Sequence, residues 1–101
     1  MARITPLAKG EAMLDLRDLR YFVAVFEARG FGRAAARMKV AQSNVSMRVL
    51  RLERLLGAPL FERRHRSIAP TPRGELLYRH AIRVLGEVEE LETTMLQREA
   101  G

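Results

Sequence analysis

Gln42, Ser43, Asn44, Ser46 and Met47 crowd short side chains, most of them polar, into about a turn and a half of chain. Gln and Asn carry a donor and an acceptor at fixed spacing, so either can bond bidentately to adenine, and Ser can bond bases or phosphates. Exposed amides at a helix start can also hold a phosphate. The chemistry such a run supports is the reading of base edges in a DNA groove. On the competing account Ser43 and Asn44 are helix caps only, which leaves Gln42 and the nearby arginines unexplained.

A second cluster, Arg63-Arg64-His65-Arg66, is a charged turn. Its guanidinium groups suit phosphates and the negative potential of an adjacent minor groove, whereas a charge run taken alone is a solvated loop. His65 within that turn reads as an ordinary solvated histidine.

The distribution of charge gives the two clusters a common setting. The 101-residue chain carries a net charge of +6, yet residues 29–73 hold eleven basic side chains against Glu53 and Glu62, and residues 74–101 hold three against six acidic ones. A basic centre followed by an acidic tail predicts one face that meets a polyanion and another that does not. Without cysteine there is neither a disulfide framework nor a thiolate metal site, and nothing conflicts with a reducing cytoplasm. No apolar run approaches the roughly 20 residues of a bilayer span, and residues 1–13 hold no signal-peptide stretch, so a cytoplasmic protein without membrane contact is expected. His65 and His80 lie apart from any acid, base or nucleophile constellation, so no catalytic, cofactor or metal site is expected. Phe22, Phe26, Phe31 and Phe61 fall at core positions, which leaves no stacking platform for RNA.

The elements that must position these clusters follow from periodicity and punctuation. Residues 1–13 show no sustained pattern and read as a flexible extension. Asp15 caps a first helix in which Leu19, Phe22, Val23 and Phe26 share one apolar face, ending near Gly30. A short second helix, Arg33 to Met38, is alanine-rich, which permits close helix approach. The third helix runs from Gln42 to Leu56, with Val45, Val49, Leu52 and Leu56 inward and Arg48, Arg51 and Arg54 on its other face; Gly57 and Pro59 end it. Leu60 to Arg63 and Ser67 to Pro70 flank the turn Arg64-His65-Arg66 as a small hairpin, or wing. Thr71 as N-cap and Pro72 at N1 open a last helix. There Leu77, Ala81, Val84, Val88, Leu91 and Met95 repeat at spacings of four and three, a coiled-coil seam flanked by Leu85. A helix of about 25 residues is roughly 37 Å long, more than so small a core can cover, so pairing with a second copy is expected.

In order and spacing, Leu16-Arg17-Asp18-Leu19-Arg20-Tyr21-Phe22, Phe31 to Val40, Gln42-Ser43-Asn44-Val45-Ser46, Leu52-Glu53, Leu56 to Arg63 and Thr71 to Gly74 resemble the N-terminal domain of LysR-type transcriptional regulators. The resemblance covers about residues 14–98. It implies a mainly α winged helix-turn-helix, three helices plus a two-stranded wing over residues 14–71, followed by a linker helix over 72–98 and a tail at 99–101. The linker implies an antiparallel homodimer on a pseudo-palindromic double-stranded DNA operator, with further pairing into tetramers in a full-length form left open. The resemblance assigns DNA reading to Gln42, Ser43, Ser46 and Met47, and the wing contact to Arg66. Asn44, Arg33, Arg48, Arg51, Arg63 and Arg64 complete the expected DNA-binding set.

Three residues depart from the family pattern. Met47 stands where arginine is frequent; it cannot donate a hydrogen bond but can touch a thymine methyl. Asn44 replaces a small or apolar residue. Gly32 replaces a hydroxyl residue, removing a helix cap and a phosphate contact for which neighbouring Arg33 would compensate. Family members also carry a larger C-terminal effector-binding domain, so the chain is expected to be either a fragment or a stand-alone form. The rival reading is a stand-alone dimerisation module that antagonises another regulator, although such a module has no use for Gln42, Ser46 or a basic wing.

Overall fold

The computed structural model describes residues 14–97; the expected 1–13 extension, the last residue of the 72–98 linker and the 99–101 tail lie outside the described residues. The elements run α1 (Leu16–Ala28), α2 (Phe31–Met38), α3 (Gln42–Leu56), β1 (Phe61–Arg64), β2 (Ser67–Pro70) and α4 (Pro72–Leu96). This is a winged helix-turn-helix followed by one long helix.

The core forms where the apolar faces of the first three helices meet. Phe22, Val25, Val45 and Leu52 are almost fully buried, and Ala34 and Ala35 let α2 lie close to its neighbours. Leu60 and Phe61 close the core from the wing side, with the Phe61 ring 5.4 Å from Phe22 and edge-on to Phe31. Asp15 caps α1 by accepting a hydrogen bond from the Arg17 amide at 2.8 Å, as expected.

Two element starts differ from expectation. Helix α1 ends at Ala28, two residues before Gly30: Arg29 takes the left-handed conformation, φ 59°, while Gly30 is extended and serves as the N-cap of α2. Helix α2 therefore begins at Phe31, not Arg33, and Gly32 lies inside its first turn. No cap is lost at Gly32, because the cap position is Gly30. Arg33 is committed elsewhere: its Nε donates to the Ala28 carbonyl at 2.8 Å and its Nη2 to the Arg29 carbonyl, satisfying acceptors at the α1 terminus.

The wing is an antiparallel pair in which Phe61 faces Pro70 and Arg64 faces Ser67. The first strand is thus Phe61–Arg64 rather than Leu60–Arg63, and the turn shrinks to His65 and Arg66. Arg66 supplies the positive φ, 65°, that so tight a turn demands. The missing Asn-Gly signal is explained by an arginine held in a conformation that costs a side-chain-bearing residue about 1 kcal/mol.

Where the hairpin meets α4, polar groups fasten the joint. Thr71 Oγ1 accepts from the Gly74 amide at 3.0 Å and donates to the Pro59 carbonyl at 2.8 Å, while Glu53 on α3 accepts from the Leu60 amide at 2.8 Å. Gly74 has no alternative here, since a Cβ on it would lie 2.1 Å from the Leu60 carbonyl oxygen. Farther along, Tyr78 stacks on Phe26 with ring centroids 3.9 Å apart, and its hydroxyl donates to Glu27 at 2.6 Å.

Candidate nucleic-acid interface

The first turn of α3 is uncapped by any side chain, because its N-cap is Ala41. Ser43 and Asn44 are therefore not caps, and the capping-only account of them falls. Gln42, Ser43 and Met47 are exposed, and Asn44 and Ser46 are half-buried at the flanks. The helix holds Val45, Val49 and Leu52 against the core, so the opposite line of side chains must face outward.

An open groove runs between the start of α2, the start of α3 and the wing. Arg33, Gln42, Arg63, Arg64, Arg66 and Ser67 line it together with Gly30 and Gly32. Gln42 lies across Gly32 so closely that a Cβ there would sit 3.3 Å from its Oε1. A smaller notch beside the groove brings Ser46 and Leu50 of α3 near Arg63. Gln42 and Ser46 of α3 and the wing arginines, 20 or so residues apart in sequence, thus border adjoining hollows. Arg63 is packed as well as charged, its guanidinium 4.9 Å above the Phe31 ring, whereas Arg64 pairs with Glu62 at 3.2 Å on the exposed strand.

Arg48 corrects the expectation for the arginine face of α3. Its side chain is only 18% exposed and turns toward α1, where Nη1 meets the buried Asp18 at 2.9 Å and Asp15 at 3.8 Å. The guanidinium also covers the Tyr21 ring at 5.4 Å. Arg48, expected among the DNA-binding residues, is thus engaged at the α1–α3 joint. Arg51 shares Asp18 at 3.3 Å but keeps 54% of its side chain exposed, so it reaches solvent from the same cluster.

The expected seam on α4 divides in two. Ala81 is 1% exposed within its own core, and Leu77 and Leu85 pack against that core, so these three are spent inside the chain. Val84, Leu91 and Met95 remain exposed and Val88 is half-buried; the apolar line continues on an end of the helix where every residue from Glu89 to Gln97 is exposed.

Sequence reasoning missed Asp18, Ser67 and Leu50. Asp18 looks like an ordinary acidic residue of a first helical turn, and only the approach of α3 shows its role. Ser67 follows the wing turn directly, which was a usable signal. Leu50 lies three residues beyond Met47 on the outward line, a spacing that was also legible.

Residues 16–75 match the family described as bacterial regulatory helix-turn-helix protein, lysR family. The chain belongs to this family. Among lysR-family relatives, it is 43% identical over 79 residues to a probable cat1 operon transcriptional activator of Acinetobacter lwoffii, covering 78% of this chain and 26% of that protein. It is 41% identical over 78 residues to the HTH-type transcriptional regulator BenM of Acinetobacter baylyi, again 26% of the relative and 77% of this chain. The chain thus spans about a quarter of the length of the curated relatives it matches. A crystal structure of the BenM DNA-binding domain with catB site 1 DNA superposes with a TM-score of 0.81 at 38% identity, covering 87% of this chain and 98% of that one. The lysR-family winged helix-turn-helix expected from the motifs is the fold observed.

Proposed function

We propose that the chain binds double-stranded DNA sequence-specifically, as the DNA-reading part of a lysR-family transcription regulator, with residues 14–71 as the reading unit and 72–98 as the linker. The observation that carries the reading is that exposed Gln42, at the start of α3, lines one groove with Arg33, Arg63, Arg64 and Arg66, while Ser43 and Met47 are exposed on the same helix. Helix α3 enters the major groove, where base edges are distinguishable, and the wing arginines follow the phosphates. The likeness to a BenM domain solved with DNA supports the same docking. The reading needs no catalytic group, which agrees with relatives whose names are those of transcriptional regulators. A pure dimerisation module gains no support, since it leaves this surface without a purpose.

Pairing completes the reading. The exposed Val84, Leu91 and Met95, with half-buried Val88, form the contact of an antiparallel homodimer that sets the distance between two α3 helices on a pseudo-palindromic operator. No helix among the described residues is long and apolar enough to cross a membrane. A cytoplasmic setting suits a cysteine-free chain whose partner is DNA.

Two substitutions test the division of labour. Gln42→Ala is expected to change preference at the contacted base by about 1–3 kcal/mol while leaving the other positions alone. Arg66→Gly keeps the positive φ of the turn and removes one cation, so binding weakens on all sequences and the salt slope falls by roughly 0.9. Equal losses on every sequence for Gln42→Ala would assign that residue to the DNA backbone.

A further inference from the structure

The outward line of α3 is apolar at its centre. Ser43, Met47, Leu50 and Arg54 follow at spacings of four, three and four, so they share one line along the helix, opposite buried Val45, Val49 and Leu52. Met47 is 53% exposed and Leu50 43% exposed, and neither is needed by the core. Single exposed apolar residues are ordinary on a protein surface. These two are instead neighbours at the middle of the face that the proposed docking turns toward DNA, between Ser43 and Arg54 on one line of the helix.

Neither a thioether nor an isobutyl group discriminates bases by strong hydrogen bonds, so this patch is blind to most of the donor and acceptor code. The major groove presents one apolar group, the C5-methyl of thymine; cytosine carries only hydrogen at that carbon. Methionine, unbranched and polarizable, adapts its rotamer to such a group. Seating a methyl against Met47 and Leu50 removes apolar surface from water on both partners, whereas an unmethylated pyrimidine leaves a gap over the same side chains.

We propose that Met47, with Leu50 beside it, reads a thymine C5-methyl group in the major groove and sets a thymine preference at one or two positions of the operator. The proposal rests on α3 being the groove-reading helix. It adds an apolar reader to the polar ones: Gln42 and Ser46 select by hydrogen bonds, and the Met47–Leu50 pair selects by a methyl group. Cytosine methylated at C5 presents the same group in the same place, so it satisfies the apolar pair where plain cytosine does not.

The test uses a duplex selected from a random library by the wild-type chain, in which each thymine is replaced singly by deoxyuridine, a change that removes the methyl and nothing else. At one or two positions the replacement is expected to weaken wild-type binding about three- to fivefold, the worth of one buried methyl. Met47→Ala or Leu50→Ala binds the thymine and deoxyuridine duplexes alike at those positions, while melting as the wild type does, because both side chains are exposed. Placing 5-methylcytosine there binds more tightly than placing cytosine, in the wild type alone. Uniform indifference to deoxyuridine, or a sensitivity that survives in both variants, overturns the methyl reader while leaving DNA recognition intact. Failure to select any duplex over random sequence is a different result: it removes the groove-reading assignment, and this inference with it.

Discussion

Arg48 and Asp18 show how a single side chain changes role once two helices meet. On α3 alone, Arg48 belongs with Arg51 and Arg54. The helical wheel puts it at the boundary between inward and outward faces, and the approach of α1 with a buried carboxylate decides the matter. Removing Asp18 strands a guanidinium that is only 18% exposed, with Asp15 at 3.8 Å as its remaining partner. Asp18→Ala is therefore expected to lower stability by about 3 kcal/mol in chemical denaturation. The double replacement Asp18→Leu with Arg48→Met should cost less than that, because no charge is left unpaired; a larger, additive loss would show that the pair is worth more than its desolvation. The exposed residues were the more legible ones. Gln42, Ser43 and Met47 required only a helix start and a period, whereas Asp18 required knowledge of what packs against it.

At the scale of elements, helices α1, α3 and α4 could be placed from sequence because an apolar period runs through each, with side-chain caps at Asp15 and Thr71 and a glycine stop at Gly57. The start of α2 and the wing were placed one or two residues off, and both errors have a local cause. Residues bearing side chains, Arg29 and Arg66, adopt left-handed backbone that sequence rules reserve for glycine. The α1–α4 joint was not foreseen at all, since it depends on Tyr78 meeting Phe26 and Glu27 across 50 residues of chain. It carries a pH signature. The hydrogen bond to Glu27, with some burial, raises the Tyr78 pKa above its ordinary value of 10.0. The hydroxyl must be protonated to donate, so this contribution to stability is complete below pH 10 and is lost as pH rises through the higher value of the folded state. The melting temperature of the wild type should exceed that of Tyr78→Phe at pH 8, and the gap should close in more alkaline solution. A gap that persists or widens there would assign the loss to packing.

The described residues span 55 × 36 × 22 Å, elongated because α4 continues beyond the body it packs on. One apolar line along that helix meets two environments. Its first half, through Leu77, Ala81 and Leu85, completes the core of the chain, and its second half, through Leu91 and Met95, is exposed among the described residues. The sequence displayed the line but not its division, because a heptad pattern does not say which chain fills the opposite side. Replacing Val84 and Leu91 together by glutamate is expected to leave helix content and core stability nearly unchanged and to convert a dimer into a monomer by sedimentation. A wild type already monomeric at high concentration would refute the pairing. On DNA, such a monomer would keep its base preferences and lose the affinity that comes from two half-sites held at one spacing.

The central claim, that the surface built from α3 and the wing reads sequence, is tested most directly by titrating the chain against a selected duplex and against random duplexes over a range of salt concentrations. Both affinities should fall linearly on logarithmic axes as salt rises, since arginines displace counterions in each case. The selected duplex should remain tighter by about a thousandfold or more, because base contacts add to the phosphate contribution. Selected and random duplexes binding alike at every salt concentration would contradict it.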